Sequence, residues 1–383
     1  MNIMFINHVS SKKFGGAERV LDSLVLGVSN VIPQPVLLLQ KGERSDDDRW
    51  DCESVARMEY FDFGALGGKS KILSLIALLC RIVKAFFYFS YLIRKHRIRV
   101  VCANSLIAGA FSALPARLMR TQFIYYEHNI AAQRKNLLIG LALRPVSRLA
   151  TDIVCISDAV RQSLVDAGAK PDKLHVIHNG YDFTALDGRG QTDNLPDRHR
   201  GDVLRIGMVA NFIPWKRHER FVEIVDALSR RIPDMHIEAT IIGGCLPGNE
   251  AYFERIETLV DQYAGKASIT MAGFQDNIAD YLRSFDVLIN PADAEPFGLI
   301  FVEAMYLGCV VVGSRDGSSS EIIEDTRTGL VVDYTDIPAV IDRLSLIARD
   351  LGARKTMGDA ATEDVRRRFS MDQHVASFVD LLG

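Results

Sequence analysis

Strand-like and helix-like patterns alternate along this 383-residue chain from one end to the other. Short apolar runs, such as 3–7, 100–103 and 287–290, are each followed by a longer segment in which apolar residues have helical spacing. This alternation is typical of βαβ units, in which helices cover a parallel sheet. The pattern predicts six such strands in each half of the chain, and therefore an α/β protein.

Length and one polar interruption predict two domains. A chain of 383 residues is longer than most single cores can be. The segment 187–202 (DGRGQTDNLPDRHRGD) is polar, with three glycines and one proline, and has the composition of a linker. We expect doubly wound, Rossmann-like domains at 1–186 and 203–369. They would face each other across a cleft, with ligands at the carboxyl ends of the strands.

Charge differs between the two halves. Residues 1–180 carry 24 basic and 15 acidic side chains, whereas the rest of the chain carries 21 and 33. The first half is therefore basic and the second acidic, which suggests that the first half meets an anionic surface. Chance, together with a few solvated charged faces, is the alternative explanation.

The segment 69–99 combines eight basic residues, no acidic residue and a cluster of aromatic side chains. Arg81 and Lys84 divide its apolar runs to about nine residues each, below the ~18 that a transmembrane helix needs. A basic, aromatic-rich helix suits the interface of an anionic membrane. The alternative is a helix packed on the sheet with basic ends, and both hold if one face packs while the other meets lipid.

Two glutamates lie in the stretch NPADAEPFGLIFVEAMYLG, at 290–308. Glu295 falls in the loop after a predicted strand, and Glu303 falls within a predicted helix among apolar neighbours. A carboxylate in such surroundings is costly to bury without a partner, which a polyhydroxyl ligand could supply. The start of that helix offers unpaired backbone N–H groups suited to phosphate. Carboxylates for hydroxyls beside a phosphate site suggest a sugar nucleotide.

Other candidate residues also follow predicted strands. Gly15 and Gly16 open a helix and allow a phosphate to approach the backbone, although many loops carry two glycines. Lys216 and Arg217 could clamp a diphosphate or form a solvated basic pair. Further residues that could line the cleft are His128, Gly244 and Phe274.

No metal site is predicted. The three aspartates at 46–48 lie in a charged polar loop and are interpreted as solvated surface. The spacing of His, Cys and carboxylate residues does not match that of a structural zinc site. The chain also lacks the G-x-G-x-x-G pattern of dinucleotide binding, which disfavours a nicotinamide dehydrogenase.

Taken together, these residues resemble a known family, the retaining GT-B glycosyltransferases of family 4, also called group 1. The E-x7-E block at 295–303 is fairly specific, and the other motifs occur in order along nearly the whole chain. They are GGAERVL (15–21), EHN (127–129), SDAVRQSL (157–164), IHNGYD (177–182), NFIPWKRH (211–218), AGF (272–274), EII (321–323) and TGLVV (328–332).

The resemblance implies how a nucleotide-diphosphate sugar is bound. Glu295 would contact the hydroxyls of the donor sugar, Glu303 the ribose hydroxyls, and Lys216 the diphosphate. The backbone amides expected to hold sugar or phosphate are those of Phe297, Gly298 and Leu299.

The resemblance also implies a division of labour between the domains. The first domain would bind the acceptor, the second the donor, and a last helix at about 370–383 would pack back on the first. His128 would contact the transferred sugar, and Gly16 would approach the donor phosphates. Glu295, Lys216 and His128 are the expected catalytic residues.

The sequence departs from the family pattern near Lys216. Asn211 stands where many members have arginine, and Arg217 stands where many have glycine. The diphosphate clamp is therefore Lys216 alone or Lys216 with Arg217. Asn211 remains among the expected donor-binding residues.

The resemblance implies transfer of a sugar to a saccharide or lipid-linked saccharide, in cell-surface polysaccharide or glycolipid synthesis. It implies no metal, no cofactor and no nucleic-acid partner. The expected location is the cytoplasm, with peripheral contact at the inner face of the membrane through 69–99. A sugar-nucleotide epimerase of the same fold and a non-catalytic sugar-nucleotide-binding module are the alternatives.

Overall fold

The structure is a computed structural model that describes residues 2–8, 15–41, 50–64, 71–130, 137–187 and 203–383. The chain divides into two compact units. Unit 1 comprises residues 1–180 and 371–383, and unit 2 comprises residues 181–370. Each unit is an α/β structure built on one parallel sheet, which confirms the predicted fold class.

In the described part of unit 1, seven parallel strands form a sheet in the order β3-β2-β1-β4-β5-β6-β7. The strand order reverses at β1, so the carboxyl ends of β1 and β4 border the crevice in which doubly wound sheets bind ligands. The strands are β1 (Ile3–Ile6), β2 (Val36–Gln40), β3 (Arg57–Phe61), β4 (Val100–Ala103), β5 (Gln122–Glu127), β6 (Asp152–Cys155) and β7 (Leu174–Val176).

Helices cover this sheet. The helices before the linker are α1 (Gly16–Val28), α2 (Lys71–Lys95), α3 (Leu106–Leu118), α4 (Leu137–Leu149) and α5 (Asp158–Asp166). Ser105 and Ser157 begin α3 and α5, where each hydroxyl accepts a hydrogen bond from a first-turn N–H at 3.1 Å. The C-terminal helix Met371–Leu382 returns to this unit, and its Phe378 ring lies 5.7 Å from that of Phe5.

The described sheet of unit 2 has six parallel strands in the order β10-β9-β8-β11-β12-β13. Its order reverses at β8, so the crevice lies beside the carboxyl ends of β8 and β11. The strands are β8 (Val203–Val209), β9 (His236–Ile242), β10 (Ser268–Gly273), β11 (Val287–Asn290), β12 (Val310–Ser314) and β13 (Leu330–Val332).

The helices of unit 2 pack around a continuous apolar core that includes Ile206, Phe221 and Ile241. They are α6 (Thr184–Asp187), α7 (His218–Arg231), α8 (Glu250–Asp261), α9 (Ile278–Ser284), α10 (Leu299–Tyr306), α11 (Ser319–Ile322), α12 (Ile337–Arg349) and α13 (Leu351–Arg368).

The prediction missed β3 and α4 in unit 1. β3 is an edge strand with the mixed sequence RMEYF, so it lacks the apolar run that marked the central strands. Residues 181–187, assigned from sequence mostly to the first domain, belong to unit 2. There the Tyr181 N–H donates to the Phe369 carbonyl at 2.8 Å, and the Tyr306 hydroxyl donates to Asp187 at 2.6 Å.

Three features predicted from sequence lie wholly or partly outside the described residues. They are most of the linker at 187–202, the aspartates at 46–48 and the first residues of the segment 69–99. Within the described chain, the stretch Ile76–Lys95 of α2 is long and apolar enough to cross a membrane, judged by length and composition alone. Core helices of soluble proteins also meet that criterion, although only 28% of this stretch is buried.

Candidate functional site

A buried ion pair lies at the carboxyl ends of β8 and β11. Lys216 ends a short 3-10 turn after β8, and Glu295 follows β11. The Lys216 Nζ atom is 2.6 Å from Glu295 Oε2, and Asn290 Nδ2 donates to the same oxygen at 2.9 Å. The two charged side chains are only 14% and 10% exposed. The Lys216 ammonium also lies 4.3 Å from the centre of the Trp215 ring, a cation–π contact.

The loop after β12 holds the backbone of Glu295 in place. Ser318 donates its N–H and its hydroxyl to the Glu295 carbonyl at 2.9 and 3.0 Å, and the hydroxyl also donates to the Phe297 carbonyl at 2.8 Å. Gly317 has φ +82°, and a Cβ atom there would lie 2.5 Å from the Glu295 nitrogen. Only glycine fits at this position without displacing Glu295.

The N-terminus of α10 adjoins this pair. Gly298 caps the helix at φ +84°, and a Cβ atom on it would lie 2.9 Å from Glu295 Cγ. Phe297 is buried and packs edge-on against Phe369, so the turn that leads into Leu299 is rigidly supported. Glu303 lies further along α10 and is buried as well. The first amides of the helix carry partial positive charge and suit an anion.

Arg217 has a specific structural role. It adopts a left-handed conformation (φ 57°, ψ 52°), which is costly for a residue other than glycine. Its Nε donates to both carboxylate oxygens of Asp293 at 2.8 Å. Arg220 donates to the Pro291 carbonyl at 2.7 Å. The two arginines therefore tie the loop after β11 to the start of α7.

Three of the predicted donor-binding residues lie together at the ends of β8, β9 and β10. Asn211 Oδ1 accepts a hydrogen bond from the Gly244 N–H at 3.3 Å. A Cβ atom on Gly244 would lie 3.8 Å from Phe274, so the three residues form one patch. Phe274 is 70% exposed, so its ring is accessible to a ligand.

His128 lies in unit 1, directly after β5. Its Nε2 atom is 2.8 Å from Asn104 Oδ1, and its ring stacks on Tyr126 with centroids 5.5 Å apart. Burial lowers the pKa of His128 from 6.5 to about 4, and the nearby His374 acts in the same direction. The imidazole is therefore neutral at physiological pH.

Gly15 and Gly16 form the start of α1. The Gly15 N–H donates to Glu18 Oε2 at 3.0 Å, which is the glutamate half of a capping box, since glycine has no side chain to form the other half. Burial raises the pKa of Glu18, although its hydrogen bond to Gly15 opposes that shift. One amide at this helix end therefore has a partner from within the chain.

The structure brings Lys216 and Glu295 together, with the α10 N-terminus beside them, and places Asn211, Gly244 and Phe274 in a neighbouring patch of the same sheet edge. His128, Gly15 and Gly16 lie at the corresponding strand ends of unit 1. Sequence reasoning missed four supporting residues, which are Asn104, Asn290, Asp293 and Ser318. The two asparagines each lie at the carboxyl end of a strand, a signal that could have identified them.

Two family models match the chain. The model described as "Glycosyl transferases group 1" matches residues 196–364, and "Glycosyltransferase Family 4" matches residues 14–185. Solved structures agree on the fold. Anabaena HepE in complex with UDP and glucose has a TM-score of 0.80 at 20% identity, with 100% of this chain and 99% of that chain covered. The sucrose-phosphate synthase of Thermosynechococcus elongatus has a TM-score of 0.81 at 20% identity, over 100% and 98%.

The fold is therefore that of the GT-B proteins, with two Rossmann-like domains. The chain belongs to the group 1 glycosyltransferases of family 4, as its sequence predicted.

Curated relatives carry several names. The N-acetyl-alpha-D-glucosaminyl L-malate synthase of Bacillus anthracis is 26% identical over 57% of this chain and 57% of its own length. A D-inositol 3-phosphate glycosyltransferase of Paenarthrobacter aurescens is 27% identical over 67% of this chain and 65% of its own length. The matches thus span less than two thirds of the length of these relatives.

Proposed function

We propose that this protein transfers a sugar, with retention of anomeric configuration, from a nucleotide-diphosphate sugar to a saccharide or lipid-linked saccharide. The observation that carries the proposal is the buried Lys216–Glu295 pair beside the N-terminus of α10. It combines a cation for a diphosphate, a carboxylate for sugar hydroxyls and helix amides for phosphate. The relatives named as glycosyltransferases and the UDP-glucose complex of HepE support the same reaction class.

Unit 2 is the proposed donor-binding domain. Glu295 binds hydroxyls of the transferred sugar, Glu303 binds the ribose, and Lys216 binds the diphosphate. The exposed Phe274 ring offers a stacking surface for the nucleobase. Both cations are paired with a carboxylate, Arg217 with Asp293 and Lys216 with Glu295. In this proposal Lys216 exchanges Glu295 for the diphosphate when the donor binds, whereas Arg217 stays with Asp293 and supports the loop after β11.

Catalysis in this proposal is electrostatic. Negative charge develops on the leaving diphosphate as the glycosidic bond breaks, and Lys216 together with the α10 amides stabilises it. The acceptor hydroxyl attacks from the face that the diphosphate leaves, and the departing phosphate takes its proton. Because protein cations and amides hold the diphosphate, the proposed mechanism requires no metal.

The first test is a panel of nucleotide-diphosphate sugars screened by thermal shift, followed by transfer assays with the sugars that bind. A true donor binds only the folded protein, so it stabilises the protein and raises its melting temperature. The gain in stability is about 2.7 kcal/mol at a donor concentration of 100 times Kd. Proton NMR of the product then reports its anomeric configuration. An inverted product refutes retention.

Lys216→Met and Glu303→Ala should each lower turnover or donor affinity at least tenfold. Leu346→Ser, in an exposed position on α12, is the matched control and should leave both unchanged. Normal kinetics in both site variants contradict the assignment. Formation of an epimer from the nucleotide sugar alone indicates an epimerase instead.

Unit 1 is the proposed acceptor domain, and α2 is its proposed contact with a lipid surface. The outer face of α2 carries a stripe of exposed apolar side chains at helical spacing, while Ala85 and Phe89 on its opposite face are buried. The stripe consists of Ile76, Leu79, Val83, Phe87 and Tyr91, each more than half exposed.

Basic residues make an anionic membrane the favoured partner for this stripe. Lys84 lies exposed beside it, and Arg94, Arg97 and Arg99 lie exposed at and beyond its C-terminal end. Each such cation contributes about 1 kcal/mol near an anionic surface, while the apolar side chains enter the interface. The proposed location is therefore the cytoplasmic face of the membrane, where a lipid-linked acceptor is found.

Vesicle flotation tests this contact. The protein should float with vesicles of phosphatidylcholine and phosphatidylglycerol and stay in solution with phosphatidylcholine alone. The double variant Val83→Ser/Phe87→Ser should lose most of the binding, whereas Leu346→Ser should bind like the unmodified protein. Equal recovery of unmodified and doubly substituted protein refutes the role of the stripe.

A further inference from the structure

A cavity of about 510 Å³ opens at the amino ends of β2 and β3, on the edge of the unit 1 sheet that lies opposite its crevice. The C-terminal end of α1, the loop that leads into β2 and the 3-10 turn Asp51–Ser54 surround it. Its volume is within the range of about 300–1,000 Å³ that is typical of small-molecule sites. The polar residues that line it are Ser29, Asn30, Gln34, Ser54 and Arg57.

Arg57, the first residue of β3, supplies the charge of this cavity. One terminal nitrogen of its guanidinium donates to the side-chain carbonyl of Gln34 at 2.9 Å, and the other lies 3.3 Å from His96 Nδ1. Among the described residues, no carboxylate pairs with Arg57. Because a guanidinium carries five N–H donors, further donors remain for a ligand. Arg57 is therefore a positioned cation without an anionic partner in the described chain.

A chain of buried hydrogen bonds holds the Arg57 guanidinium in place. His96 directly follows α2, and its side chain is only 3% exposed. An arginine can only donate, so His96 Nδ1 accepts from Arg57, and the ring proton on Nε2 points to Glu59 Oε1 at 2.8 Å. Lys95 contacts the same Glu59 oxygen at 2.8 Å and balances its charge. The positive charge of Arg57 thus stays available at the cavity.

The rest of the cavity wall is polar and uncharged. The Ser29 hydroxyl donates to the Leu26 carbonyl at 2.6 Å, so its oxygen remains free to accept. The Asn30 side chain is exposed, and its amide makes no hydrogen bond within the described ranges. No acidic side chain of the described residues lines the cavity. Hydroxyl and amide groups beside one cation suit a ligand that combines a negative charge with hydroxyl groups.

We propose that this cavity is a binding site for a small polyhydroxyl anion, a sugar phosphate or a sugar acid, whose phosphate or carboxylate is held by Arg57. The planar fork of a guanidinium matches the oxygens of either group in geometry. Ser29 and Asn30 then pair with the hydroxyls of the ligand. The site is separate from the crevice of unit 1, which lies at the carboxyl ends of β1 and β4, on the other edge of the same sheet.

Proton–nitrogen NMR of the full-length protein, labelled with nitrogen-15 in arginine, tests this binding. The Nε–H signal of Arg57 is assigned from its loss in Arg57→Gln. Glucose 6-phosphate and gluconate are titrated separately, with sorbitol as the uncharged probe. At least one of the two anions should shift the Arg57 signal to saturation, and sorbitol should leave it in place. The absence of a saturable shift with both anions, or an equal shift with sorbitol, overturns the site.

Calorimetric titration with the anion that binds separates Arg57 from general surface charge. Arg57→Gln should weaken binding at least tenfold, because it removes charge-assisted hydrogen bonds. The matched control is Arg120→Gln, since Arg120 is an exposed arginine just before β5, on the same edge of the sheet. Its affinity should stay within twofold of the unmodified protein. Equal weakening by the two substitutions indicates unspecific attraction and overturns the site.

The binding experiments contain no nucleotide sugar, so this inference does not depend on the proposed function. A protein that binds a polyhydroxyl anion at Arg57 but transfers no sugar contradicts only the proposed function. An enzyme that transfers sugar, but whose Arg57 signal responds to neither anion, overturns only this site.

Discussion

Removal of one partner from the Lys216–Glu295 pair is expected to destabilise unit 2 strongly. Lys216→Met leaves the Glu295 carboxylate 90% buried, with Asn290 as its remaining side-chain donor in the described structure. Breaking a fully buried pair costs about 3–5 kcal/mol, and the slight exposure of both groups places this one near 3 kcal/mol. Glu295→Gln should cost about 2 kcal/mol, because the Lys216 ammonium keeps its contact with Trp215.

The double variant Lys216→Met/Glu295→Gln should lose less stability than the two single changes together. No unpaired charge is then left buried, so the double-mutant cycle should give a coupling of about 2–3 kcal/mol. The matched control is Arg231–Asp342, an exposed pair in the same unit with side chains 58% and 68% exposed. Its cycle should couple by less than ~0.5 kcal/mol.

Urea unfolding followed by tryptophan fluorescence measures these energies. The chain has two tryptophans, Trp50 in unit 1 and Trp215 beside Lys216. A Trp50→Phe background therefore makes the fluorescence report on unit 2 alone. A coupling for Lys216–Glu295 no larger than that of the control pair would refute the view that the two charges depend on each other.

Three further predictions follow from the strained glycine and arginine positions and from the buried histidines. Arg217→Gly should be about 1 kcal/mol more stable than Arg217→Ala, because both lose the ion pair but only glycine relieves the left-handed backbone; equal urea midpoints would contradict this. Gly317→Ala should destabilise unit 2 by about 2 kcal/mol or more and lower turnover, because the new Cβ atom would collide with the Glu295 backbone. The control Gly168→Ala lies in open space at a similar φ and should cost only the backbone strain. Similar urea midpoints and similar turnover for the two variants would show that crowding at Glu295 is unimportant. Burial lowers the pKa of His218 and His374 to about 4, so the unfolded chain binds more protons than the folded chain between pH 6.5 and 4. The stability should be full above pH 6.5 and fall as the pH drops, on the order of 3 kcal/mol for each histidine, partly offset by Glu18 and Asp22, whose pKa values burial raises. An unfolding free energy that stays constant from pH 7.5 to 4.5 would be inconsistent with neutral buried histidines.

Central elements were predictable because their local pattern and their tertiary environment agree. β4 and β11 are buried along their whole length, so each appears in the sequence as an apolar run. β3 was not predictable in this way, because an edge strand can carry Arg57 and Glu59 where a central strand cannot. The placement of 181–187 depends on contacts with distant residues such as Phe369 and Tyr306, which no local pattern records.

The sequence pattern determined the α/β fold class, the two-domain organisation and the kinds of side chain that lie at the strand ends. The alternation of strands and helices is compatible with few folds, and a glutamate inside an apolar helix is costly to bury unless a partner pairs with its carboxylate. Only the tertiary structure decided which groups meet. It pairs Lys216 with Glu295 across 79 positions of sequence, pairs Arg217 with Asp293, and places His128 Nε2 2.8 Å from Asn104 Oδ1. Parallel strands bring their carboxyl ends to one edge whatever their separation in sequence, so the partners at that edge follow from strand order, which the local sequence does not encode.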